Sequence, residues 1–386
     1  MRALRTVILA GVAAATLAAG TGAALADPST PPPVTSFVSV GSDTFQYLSD
    51  QFSADYNATK PASDYYSWDA VNPTTGLPGD TIDTKNDTNC SITRPNGSGA
   101  GLTQLQDKLK TTNGTDYCVD LARASRNIKS SDGAGIVSAL FAKDLITYAI
   151  NSGGNGVTNL TDTDLTAIFE CDATLINSAD SGPVTWKEVG GTSTDAINPV
   201  LPQASSGTRT QWLSDIGVTT LGSCVVNGTY NGAAIEENEG TNAVFTAAGN
   251  PTKYKDDLAI FSAGNYVGQV YTKASSDNVG SLVLEDIDGK APLTSADVIN
   301  TAGLSAFPAA YIRGLYFVAL NGGTAAEPTI PTSPVSLVPF LGQVTYNSNG
   351  TIASTTAGWI CGTTAATDIK HFGFATASNC GALTGQ

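Results

Sequence analysis

The chain contains 386 residues and carries a formal net charge of −15 at pH 7, from 34 acidic and 19 basic side chains. Nucleic acid and anionic membrane surfaces are therefore excluded as main partners, since both repel such a protein. A chain of this length exceeds one ordinary hydrophobic core and predicts two domains. Charged residues make up only 14% of the chain, which is more typical of an exported protein than of a cytosolic one.

The N-terminus has the pattern of a secretory signal peptide. Two arginines flank an apolar run over residues 7–18, and a small-residue cleavage pattern follows at 24–26. We therefore predict a cleavable signal peptide over residues 1–26, followed by a flexible leader over 27–34. No cysteine lies near the cleavage position, so we expect a secreted, extracellular protein without a lipid anchor.

Six cysteines also favour an oxidising compartment. None of them forms a C-x-x-C motif, and His371 is the only histidine, so we expect neither a zinc site nor any other metal or cofactor. Many pairings of six cysteines are possible, and the pairing of sequence neighbours is the simplest. We predict three local disulfides: Cys90–Cys118, Cys171–Cys224 and Cys361–Cys380.

Short apolar strands alternate with helical patterns along the chain, which predicts an α/β protein. The first strand, residues 35–40, is followed by a helix with Phe45, Leu48 and Phe52 on one face. A polar insertion over 75–100 and a helical pattern from 101 come next. They are followed by a strand over 145–150 and by a helix over 160–169, in which Thr161 and Asp164 are placed as a capping box. The last predicted elements are a return to a core over 260–273 and a strand over 311–320.

Three stretches share one local design, in which small and hydroxyl residues lead into a helix. They are residues 41–45 (GSDTF), 97–101 (GSGAG) and 205–209 (SSGTR). One such stretch alone predicts only a helix N-cap. Three in one chain favour a site where helix N-termini converge and hold an anion by backbone N–H groups and hydroxyls.

A fourth stretch, residues 118–129, holds two arginines close together in a chain that has few basic residues. Arg123 and Arg126 are candidates for the same anion site. Pairing with surface carboxylates is an equally good interpretation of both.

The order of these motifs, continued by SAGNYVGQ, DIDGKAP and YIRGLYFVAL, resembles the phosphate-binding solute receptors of ABC transporters, the PstS-like proteins. The resemblance spans about residues 36–320. It implies the two-lobed periplasmic-binding-protein fold of type II, with crossover hinge strands. With the strand at 145–150 and the return at 260–273, we place one lobe at 35–145 plus 270–386 and the other at 146–269.

The resemblance also implies a set of ligand positions. They are the backbone of Thr44 and Phe45, together with Ser98, Ser206, Gly207 and Thr208. In this sequence Arg126 stands where the best-studied members carry an aspartate that accepts the phosphate proton. Pro202 stands where they carry an arginine, and Arg209 follows the threonine instead. We predict that Arg126 and Arg209 add charge to the site, and Asp43 or Asp120 remain alternative proton acceptors.

The sequence thus predicts a secreted, monomeric binding protein, not an enzyme, that captures inorganic phosphate or a related tetrahedral oxyanion for uptake through an ABC transporter permease. One alternative is a secreted hydrolase of the phosphatase or esterase type. The chain lacks the G-x-S-x-G, S-x-x-K and H-E-x-x-H motifs. A second alternative is an extracellular protein with this fold and no transport role, which the absence of a lipid-attachment cysteine favours.

Overall fold

The structure of this protein is a computed structural model that describes residues 27–295, 297–302 and 306–386. The predicted signal peptide lies outside the described residues. The helices are α1 Gln46–Ala58, α2 Ser98–Gln106, α3 Asp162–Glu170, α4 Gly207–Asp215, α5 Ala263–Val270, α6 Val338–Leu341 and α7 Thr363–His371.

The strands are short apart from two long ones at the centre of the fold. In chain order they are β1 Phe37–Gly41, β2 Tyr65–Ser67, β3 Thr81–Asp83, β4 Ser91–Thr93, β5 Leu121–Ala124, β6 Ile136–Asn151, β7 Asn159–Leu160, β8 Asn198–Leu201, β9 Val226–Asn227, β10 Thr229–Tyr230, β11 Ala233–Ala234, β12 Asp257–Ser262, β13 Leu282–Leu284, β14 Asp286–Ile287, β15 Leu293–Ser295, β16 Val298–Ile299, β17 Ile312–Leu320, β18 Gly342–Tyr346, β19 Ile352–Ala357, β20 Ala375–Thr376 and β21 Leu383–Gly385.

One large mixed sheet runs through the part of the chain that the structure describes. Its main path is β2-β1-β5-β17-β6-β12-β8-β9, and β13, β20 and β21 also pair with β6. The first half of β6 pairs with β17, and its second half pairs with β12. Strand β6 therefore connects the two halves of the sheet.

Buried apolar side chains form two main clusters on either side of this connection. The first takes its residues from 37–142 and 315–374 and is rich in aromatic rings that contact edge to face. The second takes its residues from 145–311. Because each fully buried ring or branched aliphatic side chain contributes about 1.5–3 kcal/mol, each cluster is a substantial core. The chain passes from one to the other along β6 and along β17.

The sequence assigns residues 270–311 to the first lobe. Ala274 contacts the first cluster, but the fully buried apolar side chains of this stretch pack elsewhere. Ile287, Ile299, Phe307 and Tyr311 lie in the second cluster. Strand β14 pairs with β7, which draws this stretch towards the second half of the sheet. The return to the first cluster occurs along β17.

Several local predictions agree with the structure. The capping box of α3 is present, with the Thr161 hydroxyl accepting from the Asp164 N–H and the Asp164 carboxylate accepting from the Thr161 N–H. The predicted strand at 145–150 is the second half of β6, and the helical pattern at 101 begins three residues earlier, in α2. All three predicted disulfides are confirmed.

The predicted leader lies against the protein at both of its ends. The Asp27 carboxylate accepts hydrogen bonds from the Arg94 guanidinium at 2.6 and 2.9 Å, and the Pro32 carbonyl accepts one from the Asn86 N–H at 2.7 Å. Within the described ranges, no helix has the length and apolar character needed to cross a bilayer.

Candidate anion-binding site

Thr44 lies in the tight connection between β1 and α1, and this connection forms the first part of the candidate site. Gly41 ends β1 with a φ of 118°, and a Cβ there would lie 2.9 Å from the Arg123 carbonyl oxygen. A side chain cannot be accommodated at this position, so glycine allows β1 to lie directly against its neighbours. Thr44 follows in the loop and is buried, and the Asn265 side-chain amide donates to its carbonyl at 2.9 Å.

The N-terminus of α4 supplies the second part of the site. Ser206 is the N-cap, and its hydroxyl accepts from the Arg209 N–H at 3.0 Å. Small hydroxyl residues at this position satisfy the free N–H groups of a helix start and leave the others available to an anion. Ser206 and Thr208 are both buried.

The N-cap and first turn of α2, residues 97–101, pack directly on the start of α4. The Gly99 N–H donates to the Ser205 carbonyl at 2.9 Å. A Cβ on Gly207 would lie 2.2 Å from the Ser98 hydroxyl and 2.5 Å from that of Ser125. The absence of a side chain at Gly207 therefore allows two of the three predicted loops to meet.

Strand β17 contributes a buried cation to the same place. The Arg313 Nη1 donates to the Thr208 hydroxyl at 2.9 Å, and that hydroxyl lies 3.3 Å from the Thr44 hydroxyl. The other side of the guanidinium pairs with Asp144 on β6, with Nη2–Oδ2 at 2.7 Å. We call the group formed by Thr44, Ser206, Thr208 and Arg313 the anion cradle.

One carboxylate lies within the anion cradle. Glu237 Oε1 accepts from the Thr44 hydroxyl at 2.8 Å, and Oε2 accepts from the Ser206 hydroxyl. The nearby backbone N–H groups of Thr44 and Thr208 favour the charged form of this carboxylate and so oppose a rise of its pKa. Burial raises the pKa of Glu237 to about 7, against the opposing effects of Arg313 and of the two N–H donors.

The remaining positions implied by the resemblance are close by but have other partners. The Ser98 hydroxyl accepts from the Ser125 N–H at 3.1 Å. The Phe45 ring is buried in the first core against Phe141 and Phe317.

The two arginines predicted to add charge are engaged elsewhere in this structure. Arg126 forms a two-pronged pair with Asp132, with both N–O distances at 2.7 Å. Arg209 donates from Nη1 to the Pro202 carbonyl at 3.0 Å. A role of either side chain at the ligand stays a prediction.

Two of the three other charged candidates, Arg123 and Asp120, also have structural partners. Arg123 is fully buried and donates to the carbonyls of Ser42 and Trp68, at 2.9 and 2.7 Å. Asp120 pairs with Lys85 at 2.8 Å. Asp43 lines a small cavity next to Glu237.

The sequence did not lead us to Arg313, Asp144 or Glu237. A usable signal existed for the first two. Arg313 is the lone charged residue in the apolar strand YIRGLYFVAL, and Asp144, next to Lys143, interrupts the apolar strand LFAKDLITYAI. Residues of this kind are rarely buried unless they are paired. Glu237 lies in the acidic run 236–239, which has the pattern of a solvated turn and gives no such signal.

Among the described residues, no group of three or more His, Cys, Asp or Glu side chains is placed to hold a metal ion. The donors that converge in the anion cradle are hydroxyls, backbone N–H groups and one guanidinium. This set suits an oxyanion, since each donor presents a proton to an acceptor oxygen.

A family model described as "PBP superfamily domain" matches residues 33–322, three quarters of the chain. The chain belongs to the PBP superfamily. This finding confirms the superfamily and the α/β fold class that the sequence predicts. The matched range includes every residue of the anion cradle. The sequence matches none of the curated proteins.

Solved structures similar to this PBP superfamily member include an ABC-type phosphate transport receptor from Vibrio cholerae. The identity is 16%, the match covers 88% of this chain and 100% of that one, and the TM-score is 0.50. A phosphate-binding protein from Stenotrophomonas maltophilia is 13% identical, with 90% and 91% of the two chains covered and a TM-score of 0.44. At such identities the first similarity supports the fold alone.

Proposed function

We propose that this PBP superfamily member is a secreted solute-binding protein that captures inorganic phosphate, or a related tetrahedral oxyanion, in the anion cradle. The observation that carries the proposal is the convergence of donors from three separate elements at one buried place. Thr44 precedes α1, Ser206 and Thr208 begin α4, and Arg313 lies on β17. Donors from distant parts of the chain that meet around a carboxylate form a preorganised oxyanion site.

We further propose that the cradle lies between two lobes, which close on the ligand about β6 and β17. The lobes that the sequence predicts are 35–145 with 270–386, and 146–269. The two apolar clusters support a division, and they favour a return crossover near Ile312 instead of residue 270. Thr44 belongs to the first half, and Ser206 and Thr208 belong to the second, so a ligand in the cradle contacts both.

A role in uptake is supported by the fold it shares with a phosphate transport receptor. On this proposal the monomeric protein is exported by its signal peptide and delivers the anion to an ABC transporter permease. The acidic surface keeps the exported protein soluble, whereas the ligand responds to donors within hydrogen-bond distance, because salt screens distant charges beyond roughly 8–10 Å.

The function we propose is ligand binding without catalysis. The only histidine, His371, is exposed at the end of α7. A hydrolase built on Ser206 would need a general base beside that hydroxyl. Glu237, which the hydroxyl contacts, lies in that position, so an assay of hydrolysis decides between the two functions.

Calorimetric titration of the mature protein with phosphate and with sulfate, beside an assay of p-nitrophenyl phosphate hydrolysis, tests this function. We expect saturable binding of at least one of the two anions at a ratio of one per chain, and no turnover of the ester. Turnover that Ser206→Ala abolishes would establish the hydrolase instead. The absence of heat with either anion would reject the capture of these oxyanions.

A further inference from the structure

The donors of the anion cradle are already engaged by a group of the protein itself. The Glu237 carboxylate accepts hydrogen bonds from the hydroxyls of Thr44 and Ser206. Each of these donors belongs to the set proposed to hold an oxyanion. A carboxylate and a phosphate both present negatively charged oxygens to such donors, so the two groups compete for one place.

The setting of Glu237 is unusual for a buried carboxylate. Its side chain is only 4% exposed, yet no salt bridge to Glu237 occurs within the residues that the structure describes. The nearby cation, Arg313, pairs with Asp144 and donates to Thr208. A buried charge of this kind depends on the attraction of the nearby Arg313 and on its hydrogen bonds, and these bonds come from the donors of the cradle.

Neighbouring side chains hold the backbone around Glu237 in place. The Asn238 side chain accepts from the Ser262 N–H at 2.8 Å, and the Asn238 carbonyl accepts from the Gln269 side chain at 3.0 Å. The Glu236 carboxylate accepts from the Asn96 amide at 2.7 Å. These bonds fix the turn on both sides of Glu237, so the backbone positions the Glu237 carboxylate in the cradle.

We propose that Glu237 is an internal ligand of the anion cradle, which an incoming oxyanion must displace, and that Glu237 thereby sets the affinity of the protein for phosphate. The identity of the oxyanion rests on the proposed function. The occupation of the cradle by the Glu237 carboxylate does not rest on the proposed function. Glu237 also links Thr44 of the first half to Ser206 of the second, so it takes the bridging position of a ligand.

A different role would make Glu237 the acceptor of the proton on a bound phosphate. In that role the carboxylate would lie beside an anion that the cradle donors hold. Here the donors contact the carboxylate directly, which favours displacement. The two roles predict opposite effects when the negative charge is removed.

The test uses Glu237→Ala and the nearly isosteric Glu237→Gln, with Glu239→Ala as the matched control. Glu239 lines the same small cavity but does not contact the cradle donors. Inorganic phosphate is titrated by calorimetry. Sodium acetate, a free carboxylate, is added in thermal unfolding experiments with sodium chloride at equal ionic strength as the reference.

We expect Glu237→Ala to bind phosphate about tenfold or more tightly than the wild type, the scale of hydrogen bonds to a charged group. Glu237→Gln should show a smaller gain, and Glu239→Ala should match the wild type. Acetate should raise the melting temperature of Glu237→Ala and leave that of the wild type unchanged, because acetate refills the vacated place.

Phosphate affinity that is unchanged or reduced in both Glu237 variants would overturn the proposal, and a reduction in both would assign the acceptor role. If acetate does not raise the melting temperature of Glu237→Ala and this variant shows no binding of phosphate, the proposal of an internal ligand is rejected. If no protein binds phosphate while acetate stabilises Glu237→Ala alone, the internal ligand stands and phosphate capture fails.

Discussion

Arg313 on β17 and Asp144 on β6 are direct cross-strand partners whose side chains form a buried ion pair. Asp144 Oδ2 accepts from Arg313 Nη2 at 2.7 Å and from Nε at 3.0 Å, and Oδ1 accepts from the Gly264 N–H. The pair lies where β6 and β17 pass from one apolar cluster to the other. It therefore fixes the guanidinium at the junction of the two halves, beside Thr208.

Replacement of Asp144 by asparagine should destabilise the protein strongly. Loss of one partner leaves the Arg313 charge buried without compensation, which costs about 3–5 kcal/mol of unfolding free energy. Denaturant unfolding of the wild type and Asp144→Asn measures the difference. Asp277→Asn is the control, because Asp277 pairs with Lys273 at the exposed surface and should matter by under about 1 kcal/mol. Equal effects of the two substitutions would contradict the structural role of the pair.

Two threonines one half-turn apart on α4 provide a matched test of the cradle. The Thr208 hydroxyl faces Arg313 and Thr44, whereas the Thr210 hydroxyl donates to the Ser206 carbonyl of its own helix. We expect Thr208→Val to lower phosphate affinity about tenfold and Thr210→Val to leave it nearly unchanged. Calorimetric titration of both variants decides the matter, and equal losses would remove Thr208 from the site.

Two arginines compete for the role of the ligand's cation. The sequence favours Arg209, and the structure places Arg313 in the cradle with Arg209 on the Pro202 carbonyl. We expect Arg313→Met to lower phosphate affinity by about 10- to 150-fold, the range of a charge-assisted hydrogen bond. Arg209→Ala should lower it by less than about threefold. The reverse order would restore Arg209 as the ligand residue, and melting temperatures of both variants control for misfolding.

Only the part of the site that local sequence patterns encode could be predicted from the sequence. Thr44, Ser206 and Thr208 each lie where a loop of small residues enters a helix, and that pattern is visible within five residues. Arg313 and Asp144 are 169 residues apart in the chain. Their pairing depends on the register of β17 against β6, which no local pattern specifies.

The fold shows the same limit. The capping box of α3 and the three local disulfides follow from short spacings, and both predictions are confirmed. The packing of residues 270–311 does not follow from short spacings. Tyr311 lies in the second core through contacts with the distant residues Asp162 and Trp212, and Phe307 packs against Tyr311. Apolar patterns show that these residues are buried but not in which core.

The affinity for sulfate should rise as the pH falls, because sulfate stays dianionic while Glu237 becomes protonated. Burial raises the pKa of Glu237 to about 7, so its charged, competing form prevails above that pH and its neutral form below it. Between pH 8 and pH 6 we expect a gain of roughly tenfold. The dependence should disappear in Glu237→Gln, and its survival there would exclude Glu237 as its source.

Other charged groups surround this carboxylate and require a control. They are Arg313 and Asp144 from the central strands, and Asp43, Glu236 and Glu239 around the small cavity. Burial raises the pKa of Glu239 to about 7 as well, helped by repulsion from Glu236. Glu239→Gln should keep the pH dependence of the wild type, since Glu239 does not contact the cradle donors.

The central claim is that one set of donors holds either Glu237 or an oxyanion. A crystal structure of the mature protein grown with phosphate tests it most directly. We expect phosphate oxygens at hydrogen-bond distance, about 3 Å, from the hydroxyls of Thr44, Ser206 and Thr208, with the Glu237 carboxylate moved out of the cradle. Phosphate bound elsewhere, or Glu237 still in contact with Ser206 at a saturating phosphate concentration, would contradict the claim.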